Sequence, residues 1–186
     1  RDFWHLKKNL IGDTQLKDAT MDYACISIQG PQARAVLEQV TDTDVSNDGF
    51  AFGSGRFCQV AGADLWMQRL SYTGELGWEL FIPAAGTVAV YQALQQAGEV
   101  SGIANVGLHA LNSLRLEKGF RHWGHDIGPE DNLLQAGLSF VAKPDAKGFL
   151  GREAFIAQKA AGVPERRLVQ FKLRDPEPLL YHNEPI

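Results

Sequence analysis

Eleven residues, Leu70-Ser71-Tyr72-Thr73-Gly74-Glu75-Leu76-Gly77-Trp78-Glu79-Leu80, constrain this chain more than any other stretch. Leu65 to Tyr72 reads as a strand, and Glu79, Leu80, Phe81 and Ile82 alternate again, so Gly74 and Gly77 mark a reversal between extended segments. Glycine admits positive φ and lets another backbone or a ligand come close. Two readings stay open on local chemistry: a bulged hairpin whose glutamates face water, or a turn that offers carboxylates to a ligand.

The rest of the chain supplies partners for that turn. Tyr23 to Ile28 predicts a buried strand, and Gly30-Pro31 opens a helix from Pro31 to Val40 with Ala33, Val36, Leu37 and Val40 on one face. Thr41 to Gly55 reads as a loop pinned to the core by Phe50 and Phe52. Arg56 to Val60 and Leu65 to Tyr72 form a hairpin through Gly62-Ala63-Asp64, and Pro83 to Gly98 reads as a helix stopped by Gly98. A short strand is expected at 103–106, then a helix at 107–118. Further on, Ser139 to Ala142 reads as a strand, Gly151 to Ala161 as an amphipathic helix, and Arg167 to Leu173 as an alternating strand. The order strand, helix, strands, helix, strand predicts an α+β architecture: helices on one face of a mainly antiparallel sheet, in the manner of a ferredoxin-like split βαβ unit. A short helix at 3–9 precedes it.

Several function classes lose support. Eighteen basic against 22 acidic residues give a net charge of -4, which disfavours a phosphate-binding surface and therefore nucleic acid. No apolar run approaches the roughly 20 residues that span a bilayer, and no basic, then apolar leader opens the chain, so the sequence reads as soluble and untargeted. Cys25 and Cys58 lack metal-ligand spacing and read as free thiols of a reducing compartment. His122, His125 and Asp126 are not spaced as a helical zinc pair, so no metal site is expected. No serine nucleophile elbow and no dinucleotide or phosphate loop is present in the pattern.

Four residues stand out, two of them in the turn itself. Glu79 suits a carboxylate that accepts two parallel N–H donors from a planar amino-heterocycle, with Glu75 close by in sequence. Arg115, in an otherwise apolar helix, is either a snorkelling surface side chain or a fork aimed at a carboxylate. Trp123 is either a stacking platform for a flat ring or a plug in the core.

Taken together, Ser71-Tyr72-Thr73-Gly74-Glu75-Leu76-Gly77-Trp78-Glu79, then Leu114-Arg115-Leu116-Glu117-Lys118-Gly119, then Trp123-Gly124-His125-Asp126, and Ala136-Gly137-Leu138 resemble the folate-binding region of the glycine-cleavage T-protein (aminomethyltransferase) family. The wording is closest to the C-terminal halves of dimethylglycine and sarcosine dehydrogenases. Ile28-Gln29-Gly30-Pro31 and Phe149-Leu150-Gly151-Arg152-Glu153 extend the resemblance over nearly the whole chain.

The resemblance implies a tetrahydrofolate site holding the pterin edge on Glu79, with Tyr72, Glu75, Arg115 and Trp123 around it. Trp123 stands where tyrosine is usual, so only stacking carries over; Asn112 stands where aspartate is frequent. The family's catalytic aspartate lies upstream of the matched region, so no catalytic residue is assigned. The resemblance further implies a central folate-binding domain at 1–147, incomplete at its N-terminus, and at 148–186 a linker helix with the first strand of a C-terminal β-barrel. The chain opens on Arg1 and stops at Asn183-Glu184-Pro185-Ile186, which reads as a piece of something longer and inactive alone. In the intact protein the partners implied are folate and a one-carbon donor derived from a small methylated amine. FAD would sit only in an upstream oxidoreductase domain of the same chain, in a bacterial cytoplasm or a mitochondrial matrix. A non-catalytic regulatory or scaffold module of the same fold, as in the regulatory subunit of pyruvate dehydrogenase phosphatase, and a folate-dependent demethylase with another donor are the alternative readings.

Overall fold

The computed structural model describes residues 2–145, 148–180 and 185. The chain forms two compact units, Arg1–Phe120 and Arg121–Ile186. In the first, α1 (Asp2–Lys8) is followed by β1 (Tyr23–Gln29), α2 (Ala33–Leu37), β2 (Gly55–Val60), β3 (Ala63–Gln68), β4 (Gly77–Pro83), α3 (Thr87–Gly98) and α4 (Leu108–Glu117). The four strands form one antiparallel sheet in the order β1-β4-β3-β2.

Alternation along each strand decides which face is buried, because successive side chains point to opposite sides. On β4, Trp78, Leu80 and Ile82 are fully buried, with Ile28 of β1 opposite Trp78 and Met67 of β3 opposite Leu80. Val36 and Leu37 of α2, Val90, Leu94 and Ala97 of α3, and Val45 and Phe50 complete this core. Each of the Val, Leu, Ile, Phe and Met side chains contributes about 1.5–3 kcal/mol through burial, before conformational entropy is set against it. The intervening residues, among them Glu79, Phe81, Trp66 and Gln68, face the other way and are only half-buried.

The loop 41–54 is clasped by two arginines. Arg34 donates from Nε to the Val45 carbonyl at 2.8 Å, and Arg69 donates from Nη1 to the Phe50 carbonyl at 2.6 Å. Their Nη2 atoms share Asn47 Oδ1, at 2.7 and 2.8 Å, and both guanidinium groups lie over the Trp78 ring, 5.9 and 5.7 Å from its centroid. Phe50 is buried as expected, but Phe52 is 76% exposed and pins nothing among the described residues.

Several element boundaries differ from the sequence reading. The hairpin between β2 and β3 turns on Ala61 and Gly62, both at positive φ (48° and 76°), which is the geometry of a two-residue turn; Ala63 and Asp64 belong to β3. The α-helical part of 31–40 is α2 alone, after which Val40 N–H bonds back only three residues, to the Leu37 carbonyl at 2.9 Å. Helix α3 ends at Gly98 as expected, but the chain continues into a 3-10 turn at Glu99–Ser101 that stops on Gly102, in the left-handed region at φ 68°. Gly98 also serves packing, since a Cβ there would lie 2.6 Å from Ile103 Cβ. Residues 103–106 are irregular: the Ile103 N–H caps the helix by bonding to the Gly98 carbonyl at 3.0 Å and joins no ladder.

The second unit carries a 3-10 turn, Ser139–Val141, where a strand was expected, and α5 (Arg152–Ala160). The Ser139 carbonyl accepts the Ala142 N–H at 3.3 Å, so a local turn bond takes the place of a ladder. Residues 167–173 have the alternation of a strand but pair with no other strand among the described residues; Leu168 N–H donates to the Gln135 carbonyl at 2.8 Å. Alternation specifies two faces and cannot supply a partner. Of the last four residues, 183–186, only Pro185 is among the described residues. No described helix is long and apolar enough to cross a membrane.

Candidate functional site

The open face of the sheet carries two parallel rows. Gly55, Gln68, Glu79 and Ser27 are opposite one another across β2, β3, β4 and β1, and Phe57, Trp66, Phe81 and Cys25 form the adjacent row. Directly opposed residues of an antiparallel pair have Cβ atoms about 4.5–5.5 Å apart on the same face. Glu79 therefore stands between a hydroxyl and a carboxamide, beside an aromatic row. Phe57 meets Trp66 edge to face, with ring centroids 5.0 Å apart. Gly55 makes room for the indole, since a Cβ there would lie 2.5 Å from Trp66 Cζ2. Cys25 is free; burial pushes its thiol up from the ordinary range, and the Glu79 charge adds to that.

The turn 69–76 rises from the end of this sheet. Thr73, only 4% exposed, donates from Oγ1 to Gln29 Oε1 at 2.6 Å, and its N–H donates to the same oxygen at 3.2 Å. Gly30 N–H donates to the Leu76 carbonyl at 2.8 Å. Gly74 takes φ 73°, the left-handed region that glycine tolerates. Gly77, opposite Gln29, is needed for close approach: a Cβ there would lie 2.8 Å from the Ile28 carbonyl oxygen and 3.0 Å from Gln29 Cγ. Gly77→Ala is expected to cost about 1–3 kcal/mol, because the obstacle is backbone. A lower urea midpoint reads this, and an unchanged midpoint would show that β1 gives way.

Of the sequence-predicted residues, Tyr72 meets Phe120 edge to face at 6.3 Å, and Glu75 pairs with Lys118 Nζ at 2.9 Å. The hydrogen bond from that pair holds the Lys118 ammonium above its ordinary range, yet both groups are well exposed, so the pair adds little stability. Arg115 does not snorkel: it is 4% exposed and buried at the end of α4. Its Nη1 donates to the Phe120 carbonyl at 2.9 Å and its Nε to Asn112 Oδ1 at 3.3 Å, bracing the chain where α4 ends. Glu75 also lines a cavity of about 620 Å³ along β1, walled by Ile28, Leu94, Ile103, Leu111 and Leu114. That volume is within the range of ligand pockets. Glu79 is not among its lining residues.

In the second unit, Trp123 is 56% exposed and plugs no core among the described residues. It is displayed by a tight turn in which Gly124 N–H donates to the Ile127 carbonyl at 2.8 Å and Asp126 Oδ2 accepts the His122 N–H at 2.9 Å. The His122 and His125 rings stack at 5.7 Å, and His125 Nδ1 lies 3.3 Å from Asp126 Oδ1. Among the described residues no group of three or more His, Cys, Asp or Glu is arranged to hold a metal ion.

A family model described as the GCVT N-terminal domain matches residues 1–146. The chain belongs to this family. Among relatives of this GCVT chain, mitochondrial sarcosine dehydrogenase of Homo sapiens is 48% identical over 166 residues, 89% of this chain and 18% of that protein. The aminomethyltransferase of Halothermothrix orenii is 36% identical over 174 residues, 94% of this chain and 48% of that protein. The crystal structure of glycine cleavage system aminomethyltransferase T from Bartonella henselae superposes with a TM-score of 0.67 at 32% identity, covering 87% of this chain and 43% of that one. The chain thus spans less than half the length of each of these relatives.

The GCVT residues that the sequence reading missed are Gln29 and Thr73, which fix the turn, and Ser27, Gln68, Trp66 and Phe81, which surround Glu79. Alternation places Gln29, Ser27, Gln68, Trp66 and Phe81 on the open face of their strands, while Thr73 lies in the turn. Only the register between strands makes them neighbours, and that register is not written in any one segment.

Proposed function

We propose that this chain is part of a tetrahydrofolate-binding, one-carbon-transfer region. The observation that carries the reading is Glu79: a carboxylate on the middle of an open sheet face, between Ser27 and Gln68 and beside the Trp66 and Phe81 rings. Two N–H donors on the edge of a pterin match a carboxylate, and a flat ring matches an aromatic row, so these residues fit the group. The charge-assisted pair is worth about 1.5–3 kcal/mol. When bound, tetrahydrofolate supplies the nitrogen that takes up the one-carbon unit of a donor derived from a methylated amine.

This chain's residues hold and orient. Glu79 accepts the ring's donors, Tyr72 and Glu75 bound the turn beside it, Arg115 braces the end of α4, and Trp123 offers a stacking surface. The relatives, among them sarcosine dehydrogenase, dimethylglycine dehydrogenase and aminomethyltransferase, support the substrate class. The proton-handling group of the reaction is assigned to none of these residues. In the same reading, residues 1–147 form a folate-binding domain of ferredoxin-like, split βαβ type, and residues 148–186 begin a C-terminal barrel domain. The intact protein would work in a bacterial cytoplasm or a mitochondrial matrix, joined to an oxidoreductase domain that carries any FAD.

Calorimetric titration of the full-length protein with tetrahydrofolate tests the reading. Saturable binding at one site per chain is expected, and no binding would favour a regulatory module of the same fold.

A further inference from the structure

Gln29 ends β1, and its side chain lies across the space that Gly77 leaves empty, since a Cβ on Gly77 would come within 3.0 Å of Gln29 Cγ. From there its amide oxygen collects three donors: Thr73 Oγ1 at 2.6 Å, Ser71 Oγ at 3.1 Å and the Thr73 N–H at 3.2 Å. The amide nitrogen donates to Ser27 Oγ, and Ser27 is the residue opposite Glu79. One side chain thereby joins the turn that bears Tyr72 and Glu75 to the strand pair that bears Glu79.

Elsewhere the turn is held at Leu76 by the Gly30 N–H, at Tyr72 by the Phe120 ring and at Glu75 by Lys118, and the Gln29 oxygen is what holds Thr73 between them. Residues 69–76 belong to no helix or strand, and ordering a free backbone costs about 1–2 kcal/mol per residue. A partly buried carboxamide oxygen that accepts from both the side chain and the main chain of one residue fixes that residue's backbone as well as its rotamer. Thr73 stands between Tyr72 and Gly74, so fixing it sets the path of the chain on both sides. Gly74, at φ 73°, offers no resistance of its own.

We propose that Gln29 is a positioning residue for the ligand site, setting where Tyr72 and Glu75 stand relative to Glu79; the ligand being folate rests on the function proposed above. Gln29→Leu keeps the bulk and removes the acceptor. Gln29→Glu keeps two oxygens for the three donors, and the Ser27 hydroxyl can turn to donate to it.

The test uses the full-length protein and three variants, Gln29→Leu, Gln29→Glu and Val90→Ala, the last a destabilised control in α3 away from the turn. Amide hydrogen exchange over residues 70–77 is expected to accelerate about tenfold in Gln29→Leu and to stay near the parent rate in Gln29→Glu and Val90→Ala. Tetrahydrofolate affinity is expected to fall about tenfold in Gln29→Leu and to return to within about threefold of the parent in Gln29→Glu, while Val90→Ala lowers the melting temperature without that loss. Unchanged exchange in Gln29→Leu overturns the proposal, as does faster exchange with unchanged affinity. If the parent binds no folate, the functional reading fails and the exchange arm alone decides whether Gln29 holds the turn.

Discussion

Glu79→Ala in the full-length protein is expected to weaken tetrahydrofolate binding at least about tenfold, with no comparable loss of stability. The carboxylate is half-buried on the open face, and the row that contains it, Ser27, Gln68 and Gly55, offers no second anion. Removing it takes away the acceptor for the ring's N–H groups and leaves those donors to find water. Glu79→Gln separates charge from shape, because a carboxamide presents one acceptor and one donor where the carboxylate presents two acceptors. An intermediate loss is expected for it. Isothermal titration of the parent and both variants reads the effect, and unchanged affinity in Glu79→Ala would remove Glu79 from the site.

Trp78→Ala is expected to cost about 3–5 kcal/mol of unfolding free energy, the largest effect of any substitution in the sheet. Trp78 is fully buried, meets Phe50 edge to face at 6.4 Å, and supports the two arginines that clasp the loop 41–54. Its Nε1 is buried and finds no hydrogen-bond acceptor among the described residues. An orphaned donor costs free energy, so Trp78→Phe, which deletes it and keeps an aromatic ring against Phe50, is expected to lose less than half as much. Urea denaturation followed by circular dichroism compares the two. Equal losses would mean that ring size, not the stranded N–H, dominates at this position.

Much of the sheet was legible because its strands alternate cleanly. Leu65 and Met67, and Trp78, Leu80 and Ile82, announce a buried face, and the glycines of 74–77 announce a reversal. What was not legible depends on distance in sequence. Arg115 looks like a surface side chain in its own helix, and it is the Phe120 carbonyl, beyond the helix end, that gives it a reason to be buried. Gln29 looks like the polar end of a strand until the register sets it opposite a glycine. The segments 103–106, 139–142 and 167–173 have strand-like composition, yet propensity for a strand is realised only where a neighbouring strand accepts the ladder. For the candidate site, the local pattern and the family resemblance proposed the carboxylates and the tryptophan, while the aromatic row beside Glu79 required the pairing of three strands.

Gly55 gives the open face a property of its own. The glycine leaves a notch on β2 that the Trp66 indole fills, so the plane of that ring is set by an absent side chain rather than by a bond. A surface tuned in this way can be reshaped from its margin: a methyl group at position 55 would tilt the indole while leaving every polar group of the face untouched. Selectivity among flat ligands could therefore drift through an edge residue that touches none of them.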